Sequence, residues 1–184
     1  MSMLKLAAAF ALLAAPAWAT GLEIEIEGEG ANGTVTIDLF EDVAPRHVEQ
    51  ITALAAEGAY DGVVFHRVID GFMAQTGDVQ FGRMGADMRR AGMGGSSRAN
   101  LPAEFSDIDF EKGVVGMARS QNPNSANSQF FIMFGPAPHL NGQYTVVGRV
   151  TSGQDVVDAI KRGKGRNGEV IGLPDLMKKV TVID

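Results

Sequence analysis

The stretch FHRVIDGFMAQTGD, residues 65 to 78, places an arginine inside what otherwise reads as a buried strand. Arg67 has Phe65, Val68, Ile69, Phe72 and Met73 for neighbours. A guanidinium stays charged at every physiological pH, and setting it among apolar side chains costs free energy unless a partner compensates. Arg67 therefore lies either on a solvated edge or in a pocket, waiting for a polar group that comes from outside the protein. The rest of the chain bears on which.

Working outward, 184 residues suffice for one domain with a sizeable core. Hydrophobic residues make up 45% and charged residues 21%, globular values rather than disordered ones. The formal charge of -6 gives no basic footprint, so nucleic acid is not an expected partner. The short basic clusters, Arg89 with Arg90 and Lys161 to Arg166, read as solvated surface. Residues 1–19 have the layout of a secretory signal peptide: Lys5, an apolar run from Leu6 to Ala15, and Ala17-Trp18-Ala19 as the cleavage site. That run is shorter than the roughly 20 residues a bilayer span needs, so no stable membrane anchor is expected. Cleavage after Ala19 would leave one exported domain, residues 20–184. The chain has no cysteine, which excludes disulfides, thiolate chemistry and cysteine-based metal sites.

LEIEIEG alternates apolar and acidic residues, and GTVTIDLF reads as its hairpin partner across a tight Asn32-Gly33 turn. Residues 44–57 read as a helix, with Pro45 in its first turn, Val48, Ile51, Leu54 and Ala55 as its apolar stripe, and Gly58 at its end. β-type runs follow: VVFHRVI, FMAQTG, GVVGMAR, QFFIMF and YTVVGRV. A second helix fits residues 153–162, with Val156, Val157 and Ile160 inward, and MKKVTVID is a last strand. The glycine-rich residues 82–97 form a long connection of the kind that tends to be functional or mobile. Many antiparallel strands with two helices imply a mainly β domain, a barrel or sandwich with covered ends.

Several chemistries are absent. His47, His66 and His139 are far apart and read as packed or surface residues rather than metal ligands. No G-x-S-x-G elbow accompanies a histidine and an acid, and the glycines at 92–95 lack the lysine and flanking elements of a P-loop. What remains is Arg67 with Gln75 nearby, and a second segment, NPNSANSQFFIMF, carrying Gln129 and Phe131. Each alone also has an ordinary structural reading, as core, gap-filler or edge.

Together they are more specific. F-H-R-V-I-x-G-F-M-x-Q-x-G-D, then G-M-A-R, then N-S-x-x-S-Q-F-F-I, resembles the cyclophilins, the cyclosporin-type peptidyl-prolyl cis/trans isomerases. The resemblance implies a closed eight-stranded antiparallel β-barrel with an α-helix over each end. It implies Arg67 as the catalytic residue and a proline pocket of Phe72, Met73, Phe131 and Leu140, with Gln75 nearby. Ala118 and Gln129 match positions lining the peptide groove, and local alternation puts Phe65 and Arg67 on one strand face. Arg119 stands where the best-known eukaryotic members have asparagine, and Tyr144 replaces a histidine, as in the bacterial branch. His139 takes the place of a tryptophan associated with tight cyclosporin binding, so weak cyclosporin binding is expected.

The implied partners are proline-containing polypeptides, such as exported proteins during folding, and the implied form is a monomer in the bacterial periplasm. The reaction makes and breaks no bond to carbon, so no cofactor or metal is expected. A different class of function, a holdase chaperone gripping proline segments without turning them over, would use the same apolar groove. Intact Arg67, Gln75 and Phe131 favour the isomerase, because gripping alone does not need them.

Overall fold

The computed structural model describes residues 20–184, apart from the side chain of Arg166; the expected signal peptide, residues 1–19, lies outside the described residues. β1 (Gly21–Glu27) and β2 (Gly33–Leu39) form the expected hairpin, with Leu22, Ile24 and Ile26 buried and the glutamates between them exposed. The connection is a loop over residues 28–32 rather than a tight Asn-Gly turn, and Asn32 does not take a positive φ. Asp175 is the reason. Its buried carboxylate accepts the amides of Gly30 at 2.9 Å and Ala31 at 3.0 Å and draws the loop onto itself.

α1 (Pro45–Ala56) forms where the apolar stripe placed it, and buries Val48, Ile51, Leu54 and Ala55. Glu104 accepts the first-turn amides of Arg46 and His47, at 3.3 and 3.2 Å, which the Ala44 side chain cannot cap. α2 (Gln154–Ala159) is shorter than expected. The chain turns extended at Ile160 and delivers the Lys161 amide to Asp175 at 2.8 Å, so the helix cannot continue to Arg162. Val157 and Ile160 are buried as expected, and Val156 is half-buried.

The remaining strands are β3 (Val63–Val64), β4 (Arg67–Ile69), β5 (Met73–Thr76), β6 (Val114–Met117), β7 (Phe130–Met133), β8 (Val146–Ser152) and β9 (Leu176–Ile183). Among the described residues they join β1 and β2 in one antiparallel sheet of nine strands, ordered β3-β9-β1-β2-β8-β6-β7-β5-β4, rather than eight. The extra strand arises because VVFHRVI is broken at Phe65–His66, and its halves pair at opposite edges of the sheet, with β9 and with β5. At the break the Phe65 amide bonds to the Asp175 carbonyl, and the His66 carbonyl accepts from the Val170 amide.

The break also shifts the alternation by one. Phe65 and Val68 both enter the main core, while Arg67 faces the other way, so Phe65 and Arg67 do not share a face. The main core holds Ala74, Val115, Phe130 and Ile132 together with the buried faces of both helices. Each large aliphatic side chain enclosed there contributes about 1.5–3 kcal/mol. A second cluster, around Met73, Phe110, Phe131, Met133 and Leu140, gathers on the opposite face of β5 and β7. That second face carries the site.

Candidate active site

Strand register assembles the groove. Arg67 pairs with Gln75, Gln75 with Phe131, and Phe131 with Gly116, which sets one row across β4, β5, β7 and β6. A Cβ on Gly116 would stand 2.6 Å from both the Phe110 and Phe131 rings, so only glycine leaves room for Phe131 to settle there. Phe131 is then fixed from two sides, stacked on Phe110 with centroids 5.8 Å apart and edge-on to Tyr144 at 5.9 Å.

Arg67 is half-buried and held at two nitrogens. Nε donates to the Asn167 carbonyl at 2.9 Å, and Nη1 donates to Gln75 Oε1 at 3.1 Å. Among the described residues, Nη2 has no protein acceptor. Burial lowers the guanidinium's pKa, and Tyr144 works against that shift; the group stays charged at physiological pH. The polar row continues away from Arg67 toward the loop at residues 92–94. Gln75 Nε2 donates to Gln129 Oε1 at 2.9 Å, and Gln129 Nε2 donates to the carbonyls of Gly94 and Gly92 at 2.8 and 3.0 Å.

Of the residues expected from the sequence, all but Gln129 and His139 line one cavity of about 160 Å³. Phe72, Met73, Phe131 and Leu140 form its apolar wall, with Arg67 and Gln75 beside it. Gln129 reaches this cavity only through Gln75. His139 is exposed on the rim, its ring 5.7 Å from that of Phe72. Arg119 is not extended into solvent. Its guanidinium lies 4.2 Å from the Tyr144 ring centroid and donates to the Gln143 carbonyl at 2.7 Å, a placement that closes one wall.

Sequence reasoning missed three things. A second, larger cavity of about 420 Å³ adjoins the first at Gln75, Ala118 and Arg119 and is walled by residues 92–96, Asn100 and Asn127. Its wall is fixed by Asp78, which is fully buried. Asp78 Oδ1 takes the amides of Gln80 and Phe81 at 3.1 and 2.9 Å, and Oδ2 takes those of Gly92 and Gly94 at 2.8 and 3.0 Å. The third is Asn167, for which the Asn167-Gly168 pair was the available sequence cue. His66 is packed, as expected. Among the described residues both ring nitrogens are enclosed without a partner, and burial pushes its pKa down to about 4.

An antiparallel sheet thus carries on one face an apolar cavity beside a tethered arginine, and the chain as a whole is similar to known proteins. Residues 22–182 match the model of the family "Cyclophilin type peptidyl-prolyl cis-trans isomerase/CLD". A probable peptidyl-prolyl cis-trans isomerase of Brucella suis is 60% identical over 153 residues, which cover 82% of this chain and 78% of the relative. The crystal structure of a Cryptosporidium parvum cyclophilin type peptidyl-prolyl cis-trans isomerase has the same fold, with a TM-score of 0.74 at 24% identity over 91% of this chain and 99% of that one. A crystal structure of that protein in the presence of the dipeptide Ala-Pro gives a TM-score of 0.72 at 25% identity, over 89% and 99% of the two chains. The chain belongs to the cyclophilin-type peptidyl-prolyl cis-trans isomerases, enzymes that rotate the peptide bond preceding proline.

Proposed function

We propose that this isomerase acts on proline-containing segments of exported proteins as they fold, with Arg67 as its catalytic group. Rotation about an X-Pro bond faces a barrier of about 20 kcal/mol, because amide resonance is lost at the twisted midpoint. There the prolyl nitrogen becomes pyramidal and regains a lone pair, which it lacks in the planar ground state. A fixed cationic donor aimed at that nitrogen stabilises the midpoint selectively, which is what lowers a barrier. The observation that carries this reading is the double tether of Arg67 beside the apolar cavity, which among the described residues leaves Nη2 without a protein acceptor.

In this reading Phe72, Met73, Phe131 and Leu140 hold the pyrrolidine ring while the preceding carbonyl swings, and the apolar wall strengthens the arginine's hydrogen bond. Ala118, Arg119 and Gln129 lie along the path of the flanking peptide. Exposed His139 offers cyclosporin a small rim contact, which supports weak binding. The two edge strands β3 and β4 are joined through Phe65–His66 alone, which supports reading the sheet as a closed barrel. Thr20, the first residue after the expected cut, is bound to Leu39 and Glu41, which supports reading the domain as beginning there. Removal of residues 1–19 and work as a monomer in the periplasm follow from this reading; among the described residues no helix is long and apolar enough to cross a membrane.

Arg67→Ala in a protease-coupled peptide assay tests the proposal. Turnover should fall about 10²–10³-fold. Near-full activity would remove Arg67 from the mechanism. Suppression of aggregation without isomerisation by the wild-type protein would favour the holdase reading instead.

A further inference from the structure

We propose that Asn167 is a positioning residue, whose left-handed backbone aims a carbonyl at Arg67 Nε and so fixes the direction in which the guanidinium presents its remaining donors. This rests on the reading of Arg67 as the group that meets the prolyl nitrogen. Among the described residues Asn167 is the one non-glycine with positive φ, at 58°. That conformation is disfavoured for L-residues, and asparagine tolerates it better than most.

The segment around Asn167 replaces the strand that β4 lacks on its outer edge. The Gly163 amide donates to the Val68 carbonyl at 2.9 Å, the Val170 amide donates to the His66 carbonyl at 3.1 Å, and Arg67 bridges Glu169. Gly168 lies so close to β4 that a Cβ there would stand 2.4 Å from Ile69 Cγ1. The loop is thus clamped before and after Asn167, and its left-handed step turns the carbonyl onto the guanidinium. A guanidinium is planar, so anchoring Nε on Asn167 and Nη1 on Gln75 fixes both the place and the plane of the group. With one anchor gone, it could rotate about the Cδ–Nε bond and would have to be reoriented in each turnover.

The test uses the full mature protein as wild type and as the Asn167→Gly, Asn167→Pro, Asn167→Val and Arg67→Ala variants. NMR exchange spectroscopy at saturating Ala-Pro peptide reads the on-enzyme rotation rate, titration reads the Kd, and solvent exchange of the Arg67 Nε–H reads the tether. Glycine adopts positive φ freely, so Asn167→Gly should keep rate, Kd and Nε–H protection within about twofold. Proline cannot take φ near +58°. Asn167→Pro should lower the rate roughly tenfold, leave Kd within about twofold, and expose the Nε–H. Asn167→Val should move in the same direction, and it decides the matter should the proline variant not fold. A normal on-enzyme rate with an exposed Nε–H would overturn the inference, and so would a change confined to thermal stability. If Arg67→Ala itself kept the wild-type rate, the underlying role of Arg67 would fail first, and that result is distinguishable from failure of Asn167 alone.

Discussion

The two faces of β5 and β7 differ in what their side chains are for. Inward, Ala74, Phe130 and Ile132 join the main core, where shape and apolarity are the only requirements. Outward, Met73, Gln75 and Phe131 meet Arg67 at a cavity left partly open, and there the chemical type of each side chain matters. Neighbouring residues on one strand therefore answer to different constraints. Mutations on one face should change stability without changing chemistry, and mutations on the other should do the reverse.

The sharpest break in that contrast is Arg67→Ala. Its kcat/KM should drop by two to three orders of magnitude while its denaturation midpoint stays near wild type. Ile132→Ala, one residue from the groove, should cost about 2–5 kcal/mol of stability and leave activity per folded molecule intact. If both variants lost stability equally, the division between faces would be wrong. Asp78→Asn blurs the two faces, because this buried carboxylate shapes the groove wall from inside. It should destabilise by about 1–3 kcal/mol and weaken peptide binding severalfold, read by urea melts and titration.

The smallest effect is that of pH. His66 binds a proton less readily folded, at a pKa of about 4, than its ordinary value of 6.5. The unfolded chain therefore takes up protons first as pH falls below 6.5, so stability is full above that point and declines toward pH 4. About 1 kcal/mol should be lost by pH 5.5. His66→Gln should flatten this slope. The rate per folded molecule should stay level from about pH 6 to 9, since arginine does not titrate there; a bell-shaped profile would point to another catalytic group.

How much of this was legible follows from which interactions side-chain pattern can reveal. Alternation in LEIEIEG and the stripe of residues 44–57 gave the first hairpin and helix, because both bury one face against one core. The break at Phe65–His66 was hidden, since VVFHRVI reads as one continuous strand. It is imposed by backbone partners at Val170 and Asp175, far along the chain. Arg67 was conspicuous because a charge in an apolar run demands an explanation. The Asp78 clasp and the Asn167 carbonyl were not. In both the backbone makes the contact, and a sequence of side chains is silent about where amides and carbonyls point.

The Asp78 clasp has one more consequence. It pins the chain at Gln80 and Phe81 on one side and at Gly92 and Gly94 on the other. The arc between, residues 82–91, is a span whose two piers rest on the same carboxylate, and its crown, residues 84–87, is exposed. Such a span can be lengthened, trimmed or replaced with foreign sequence while its landing points stay put. A recognition segment grafted at that crown would stand beside the groove, next to the wall that Met88, Arg89 and Ala91 share with Arg67 and Gln75.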